Sequence, residues 1–183
     1  MSEPGHIPTS LSAYPLARGD NWRDTPLARW ATSLACRLGL PTDPVGRGVE
    51  LDGDDLAELQ RRAQDAFVRP VYRIVLHEPL LAFRFYGDRC LPITRLYTSI
   101  ATVRQIPRFG WLTKELLGLT GRNAADNLIA VRVAPGSRIA VGGISNRATW
   151  ADQILVEVDR GLLAVGHLSQ AECEFNNRTK RAS

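Results

Sequence analysis

Lysine is almost missing from this 183-residue chain: 21 of its 23 basic residues are arginine, and only Lys114 and Lys180 are lysine. The net charge is +4 and no basic block is longer than Arg61-Arg62, which argues against the dense stripe that binds a phosphate backbone. Cysteine is scarce too. Cys36, Cys90 and Cys173 are odd in number and form no C-x-x-C pair, so neither a disulfide framework nor a zinc module follows, and core thiols in a reducing compartment are expected. No run approaches the ~20 apolar residues of a membrane span. The first residues, with Glu3, Pro4, His6 and Pro8, lack the regions of a signal peptide, so the expected location is cytoplasmic, or reached without a cleaved signal. Also absent are G-x-S-x-G, H-E-x-x-H, a Walker loop, and a G-x-G-x-x-G between strand and helix. His6, His77 and His167 stand apart, and no metal site is expected.

What is present divides by texture. Residues 1–19, with Pro4, Pro8, Pro15, Gly5 and Gly19, read as a flexible arm. Residues 20–69 read as helical: Leu27, Trp30, Leu34 and Leu38 recur at helical spacing up to Gly39, a connector runs from Pro41 to Gly53, and Leu56, Leu59, Ala63 and Phe67 form a second stripe. Residues 70–170 turn β-rich. Strands are expected at Val71 to Leu76, Leu81 to Tyr86, Arg95 to Ser99, Asn127 to Val133, Arg138 to Val141, Gln153 to Val158 and Leu162 to Leu168. A helical piece is expected at Trp111 to Leu119, and turns at Pro135-Gly136 and Gly142-Gly143. Residues 171–183 form a polar tail that frays. The class is α+β, with 20–170 as one globular unit and a mostly antiparallel sheet region.

The polar residues set on strands carry the chemistry. Tyr72-Arg73 lies on the first, Tyr97-Thr98-Ser99 closes another, and Asp152-Gln153 opens a later one. An arginine inside Val71-Tyr72-Arg73-Ile74-Val75-Leu76 is costly to bury alone, so it meets a carboxylate, a ligand phosphate or backbone, or else faces solvent at an edge. Tyr72, Tyr97, Phe109 and Trp150 are candidates to stack on a planar ligand, with a plain core role as the alternative for each.

From Val71 to Gly166 the order and type of these elements resemble the Arg, Ser-Thr-Ser, Glu-x-Glu plan of the ADP-ribosyltransferase fold. The resemblance implies a split β-sheet core and an NAD⁺-consuming enzyme of toxin or effector type, a glycohydrolase or ADP-ribosyltransferase that cleaves the nicotinamide–ribose bond. Arg73 takes the place of the first-strand arginine that supports the dinucleotide's phosphates. Tyr97-Thr98-Ser99 stands for Ser-Thr-Ser with its first Ser replaced, Thr98 and Ser99 holding the strand and lining the nicotinamide pocket. Gln153 falls where the catalytic Glu is expected, and Ala151 where the earlier Glu belongs, which disfavours arginine modification. Gln keeps the hydrogen bond to the ribose 2′-OH and gives up the charge that favours an oxocarbenium-like state, a charge left to Glu157 or Asp152. The implied catalytic residues are thus Arg73, Gln153 and Ser99, and Tyr72, Tyr97, Thr98, Phe109 and Trp150 bind NAD⁺ as substrate. The implied partners are NAD⁺, a protein or nucleic-acid acceptor and a cognate antitoxin or immunity protein, with no membrane. Leu96-Tyr97-Thr98-Ser99, after Arg89 and Pro92, also resembles RES-type NAD⁺ phosphorylase toxins, although their Gly-Gly-Arg-Trp-Asn core is lacking. A non-enzymatic, arginine-rich nucleic-acid or protein-binding module is the alternative from another class, and steep salt dependence would mark it.

Overall fold

Thr25 opens the first helix, α1 (Pro26–Leu38), by accepting the Ala28 N–H on its hydroxyl at 3.1 Å. Pro26 occupies the first turn, where no donor is needed, and Gly39 closes the helix at φ 57°. The computed structural model describes residues 25–63, 67–106, 108–119, 121–144 and 151–181; the arm expected at 1–19 and Trp150 lie outside them. α1 buries Leu27, Ala28, Ala31 and Leu34, while Leu38 of the expected stripe is exposed. The helix lies so close to the sheet that a Cβ at Gly166 would stand 2.7 Å from Leu34.

The expected connector at 41–53 contains a strand, β1 (Gly46–Glu50), paired with β2 (Phe67–Leu76). Gly46 and Gly48 are poor strand residues in isolation, yet a Cβ on either would approach the Ile74 side chain to 2.9 Å, so glycine is what fits there. The second helix, α2 (Gly53–Arg62), stops short of the expected Phe67. Phe67 begins β2 and still packs with Leu56, Leu59 and Ala63, so one apolar stripe is shared by two elements. The stretch expected to be helical therefore holds a strand and the start of another.

Six strands follow: β3 (Leu80–Tyr86), β4 (Leu96–Tyr97), β5 (Asn127–Val133), β6 (Arg138–Ile144), β7 (Asp152–Val158) and β8 (Leu162–Ser169). Short helices α3 (Ile100–Val103) and α4 (Trp111–Leu116) separate β4 from β5, and α5 (Gln170–Arg181) follows β8. Gly142-Gly143 is strand rather than turn, opposite Gln153 and Asp152, because Val71 and Phe67 fill the space above Gly142 to within 2.9 and 3.0 Å of a Cβ. Most of the expected polar tail lies in α5, begun by a reciprocal cap in which Ser169 Oγ accepts the Glu172 N–H at 3.3 Å and the Glu172 carboxylate accepts the Ser169 N–H at 2.8 Å.

Every ladder is antiparallel, in a five-stranded sheet β1-β2-β6-β7-β4 and a three-stranded sheet β3-β5-β8, which makes the fold α+β. The sheets face each other across Ile74, Leu76, Leu80, Val131, Ile139, Ile154 and Val156. α1 and α3 pack on the far side of the smaller sheet around Phe83, Phe85 and Leu128, and α2 packs on the far side of the larger one over Val71, Ala140 and Leu155. Among the described residues the sheets meet at one bridge, where Phe83 N–H donates to Thr98 O at 2.9 Å and Thr98 N–H to Phe83 O at 2.7 Å. Among the described residues no helix is long and apolar enough to cross a membrane.

Candidate functional site

Where β4 leaves the larger sheet at Tyr97 and touches the smaller one at Thr98, a cleft of about 90 Å³ opens. Its walls are Phe83, Arg84 and Phe85 of β3, Leu96, Tyr97 and Thr98, and Gln153 of β7, with Leu117, Leu119 and Ile144 completing the apolar lining.

Arg84 dominates its electrostatics. Its Nη1 donates to Leu96 O at 3.1 Å and its Nε to Leu91 O at 3.3 Å, both neutral carbonyls. Among the described residues no carboxylate pairs with it. Burial accordingly lowers its pKa from the ordinary arginine value, with Tyr97 and Cys90 acting in the opposite sense. A guanidinium remains charged through the accessible pH range, so the cleft holds an uncompensated cation. Sequence reasoning passed over Arg84. The signal was there: an arginine centred in Leu81-Ala82-Phe83-Arg84-Phe85-Tyr86 is as costly to bury alone as Arg73.

Thr98 and Ser99 are fixed from below by Asp152, which is 1% exposed. Thr98 Oγ1 donates toward Asp152 O at 2.8 Å and Oδ1 at 2.9 Å, Ser99 N–H donates to Oδ1 at 2.7 Å, and Ser99 Oγ bonds Oδ2. Asp152 N–H donates to Thr102 Oγ1 at 2.9 Å. Burial pushes the Asp152 carboxyl above its ordinary value, with the Ser99, Thr98 and Thr102 hydrogen bonds opposing it. Ser99 is fully buried, caps α3 by accepting the Thr102 N–H at 3.4 Å, and builds the turn without lining the cleft. Tyr97 is buried, its hydroxyl donating to Thr94 O at 2.8 Å; burial raises its pKa against the Thr94 bond and Arg84. Gln153 is half-buried in the cleft wall and makes no side-chain hydrogen bond to another described residue.

Arg73 lies apart from this group. Its Nε and Nη2 clasp Glu157 at 2.7 and 3.0 Å, its Nη1 reaches Asp55 at 3.5 Å, and the Glu157 hydrogen bond raises its pKa further. The strand register sets it opposite Ala140, and Ala140 opposite Leu155, outside the cleft lining. Glu157 is engaged here, and Asp152 beneath Thr98, so neither carboxylate expected to supply charge lines the cleft. Tyr72 packs half-buried on the core between the sheets. Phe109 is buried edge-on to Phe85, 5.9 Å between ring centres, and lines a separate cleft of about 500 Å³ with Arg108, Gly110, Trp111, Gln170, Cys173 and Glu174. That larger cleft gathers none of the strand-borne polar residues.

The small cleft thus combines a permanent cation, a free amide, a hydroxyl and two phenylalanines, with no carboxylate in its lining. It suits a flat ring whose attached groups are anionic. Among the described residues no cluster of His, Cys, Asp and Glu is arranged to hold a metal ion. Comparison with known proteins finds no family model, no curated protein and no solved structure that matches this chain.

Proposed function

We propose that this cleft cleaves the nicotinamide–ribose bond of NAD⁺, on a split-sheet core of ADP-ribosyltransferase type. The observation that carries the reading is the convergence of Tyr97, Thr98 and Gln153 with Arg84, which pairs with no described carboxylate, on one small cleft at the parting of two antiparallel sheets. The nicotinamide ring would lie against the apolar lining of the cleft, Gln153 would bind the ribose, and Arg84 would take the phosphate contact that the resemblance assigned to Arg73. When the bond breaks, its electron pair goes to the pyridinium nitrogen and nicotinamide leaves neutral; water supplies the new C–O bond and releases a proton.

The lining suggests a second acceptor. With no carboxylate to favour the developing cation, an anionic nucleophile that brings its own charge has the advantage, and Arg84 can hold it. Phosphorolysis, as in the RES-type toxins that Leu96-Tyr97-Thr98-Ser99 resembles, is the alternative. The test is nicotinamide release by the purified protein, with and without inorganic phosphate and with and without cell lysate. Release in water alone indicates a glycohydrolase, phosphate-dependent release a phosphorylase, and label transfer to lysate a transferase. No release in any arm overturns the reading.

A further inference from the structure

We propose that Asp152 is a positioning residue that fixes the Thr98 hydroxyl as a hydrogen-bond acceptor facing the cleft, so that the site selects a ring bearing an N–H donor. The inference rests on the reading of the cleft as an NAD⁺ site.

A threonine hydroxyl has one proton and two lone pairs. Thr98 sends its proton to Asp152, whose main-chain oxygen lies at 2.8 Å and whose Oδ1 lies at 2.9 Å. The carbonyl cannot donate in return, and Oδ1 already accepts the Ser99 N–H at 2.7 Å. The assignment therefore holds whichever way the proton lies between Ser99 Oγ and Oδ2. What Thr98 presents to the cleft is a lone pair. The same aspartate is the chain neighbour of Gln153, and its N–H is tied to Thr102 Oγ1, so one buried residue joins the start of β7 to the turn after β4. On a nicotinamide ring the matching donor is the carboxamide NH2.

The probe is 3-acetylpyridine adenine dinucleotide, which replaces that NH2 with a methyl group and leaves the charge unchanged. The readout is the ratio of kcat/KM for NAD⁺ to that for the analogue. Thr98→Val, which keeps the shape and loses the lone pair, lowers the ratio by about threefold to tenfold, the range of one neutral hydrogen bond. Thr98→Ser keeps it. Asp152→Ala removes Oδ1 but keeps the main-chain oxygen at 2.8 Å, so it lowers the ratio by less than Thr98→Val does, and the double variant lowers it no further than Thr98→Val alone, because one acts through the other. Asp152→Asn, whose Oδ1 still accepts, keeps the ratio. A merely structural aspartate would reduce the yield of folded protein without moving it. Release of nicotinamide by the wild type with an unchanged ratio in Asp152→Ala overturns the proposal and leaves the NAD⁺ reading standing; no release by the wild type overturns both. If Asp152→Ala does not fold, an unchanged ratio in Thr98→Val overturns the proposal.

Discussion

Two arginines in strands, both half-buried, solve the same problem in opposite ways. Arg73 is neutralised: Glu157, 1% exposed at its side chain, takes both ends of the guanidinium fork, with Arg138 3.5 Å from the same carboxylate. Arg84 meets only carbonyls. Truncating Arg73 leaves the buried Glu157 carboxylate with only the more distant Arg138, at a cost of up to about 3–5 kcal/mol. Arg73→Met is therefore expected to lower Tm by up to roughly 6–20 °C in a thermal melt while leaving nicotinamide release per folded molecule close to wild type. Arg84→Met should do the reverse. Loss of a hydrogen bond to charge, about 1.5–3 kcal/mol, raises KM for NAD⁺ about tenfold or more with little change in Tm, since the guanidinium is held without a counter-ion. Steady-state kinetics beside a melt of each variant separates the two, and equal loss of activity in both would return Arg73 to the site.

At the scale of elements, three strands were legible almost to the residue: β5 runs from Asn127 to Val133 as its pattern indicates, and β3 and β7 start one residue early, whereas β2 begins four residues before the expected Val71 and β6 runs three past the expected Val141. β1 was not, because its two buried glycines are chosen by Ile74 and the Val75 carbonyl across the ladder, a tertiary reason. α5 was legible in principle through Ser169-Gln170-Ala171-Glu172, the pattern of a capping box. Within the candidate site, Tyr97, Thr98 and Gln153 came from local pattern, but Asp152 acts on Thr98 across 54 residues of chain, which no local signal encodes. The α5 cap has a measurable pH signature. Its two hydrogen bonds from Ser169 hold the Glu172 carboxyl below its ordinary value. Between the folded and unfolded pKa values the unfolded chain binds more protons, so the cap's contribution is complete above the unfolded value and is lost as pH falls through the folded one. Acid titration of urea-unfolding stability should show this loss in the wild type and not in Glu172→Gln, while Ser169→Ala costs about 1 kcal/mol at neutral pH.

The whole molecule hangs its site on the bridge between its sheets. Larger and smaller sheet share a core through Ile74, Leu80, Val131 and Ile154, but their backbones touch only at Phe83 and Thr98 among the described ladders and bridges. Because Thr98 is also held by Asp152 of β7, the bridge beside the cleft is braced from both sheets. Parting the sheets at this bridge requires breaking the buried core. The amides of Phe83 and Thr98, each bonded to the other's carbonyl, should then exchange hydrogen only through global unfolding, at the same free energy as the central β6 amides. In Asp152→Ala, one brace is gone, and these two amides should exchange through a local opening well below the global value while β6 stays protected. Native-state hydrogen exchange across a denaturant series measures both; parallel behaviour of Thr98 and β6 in the variant would mean that the core alone, and not the Asp152 brace, holds the sheets together at the cleft.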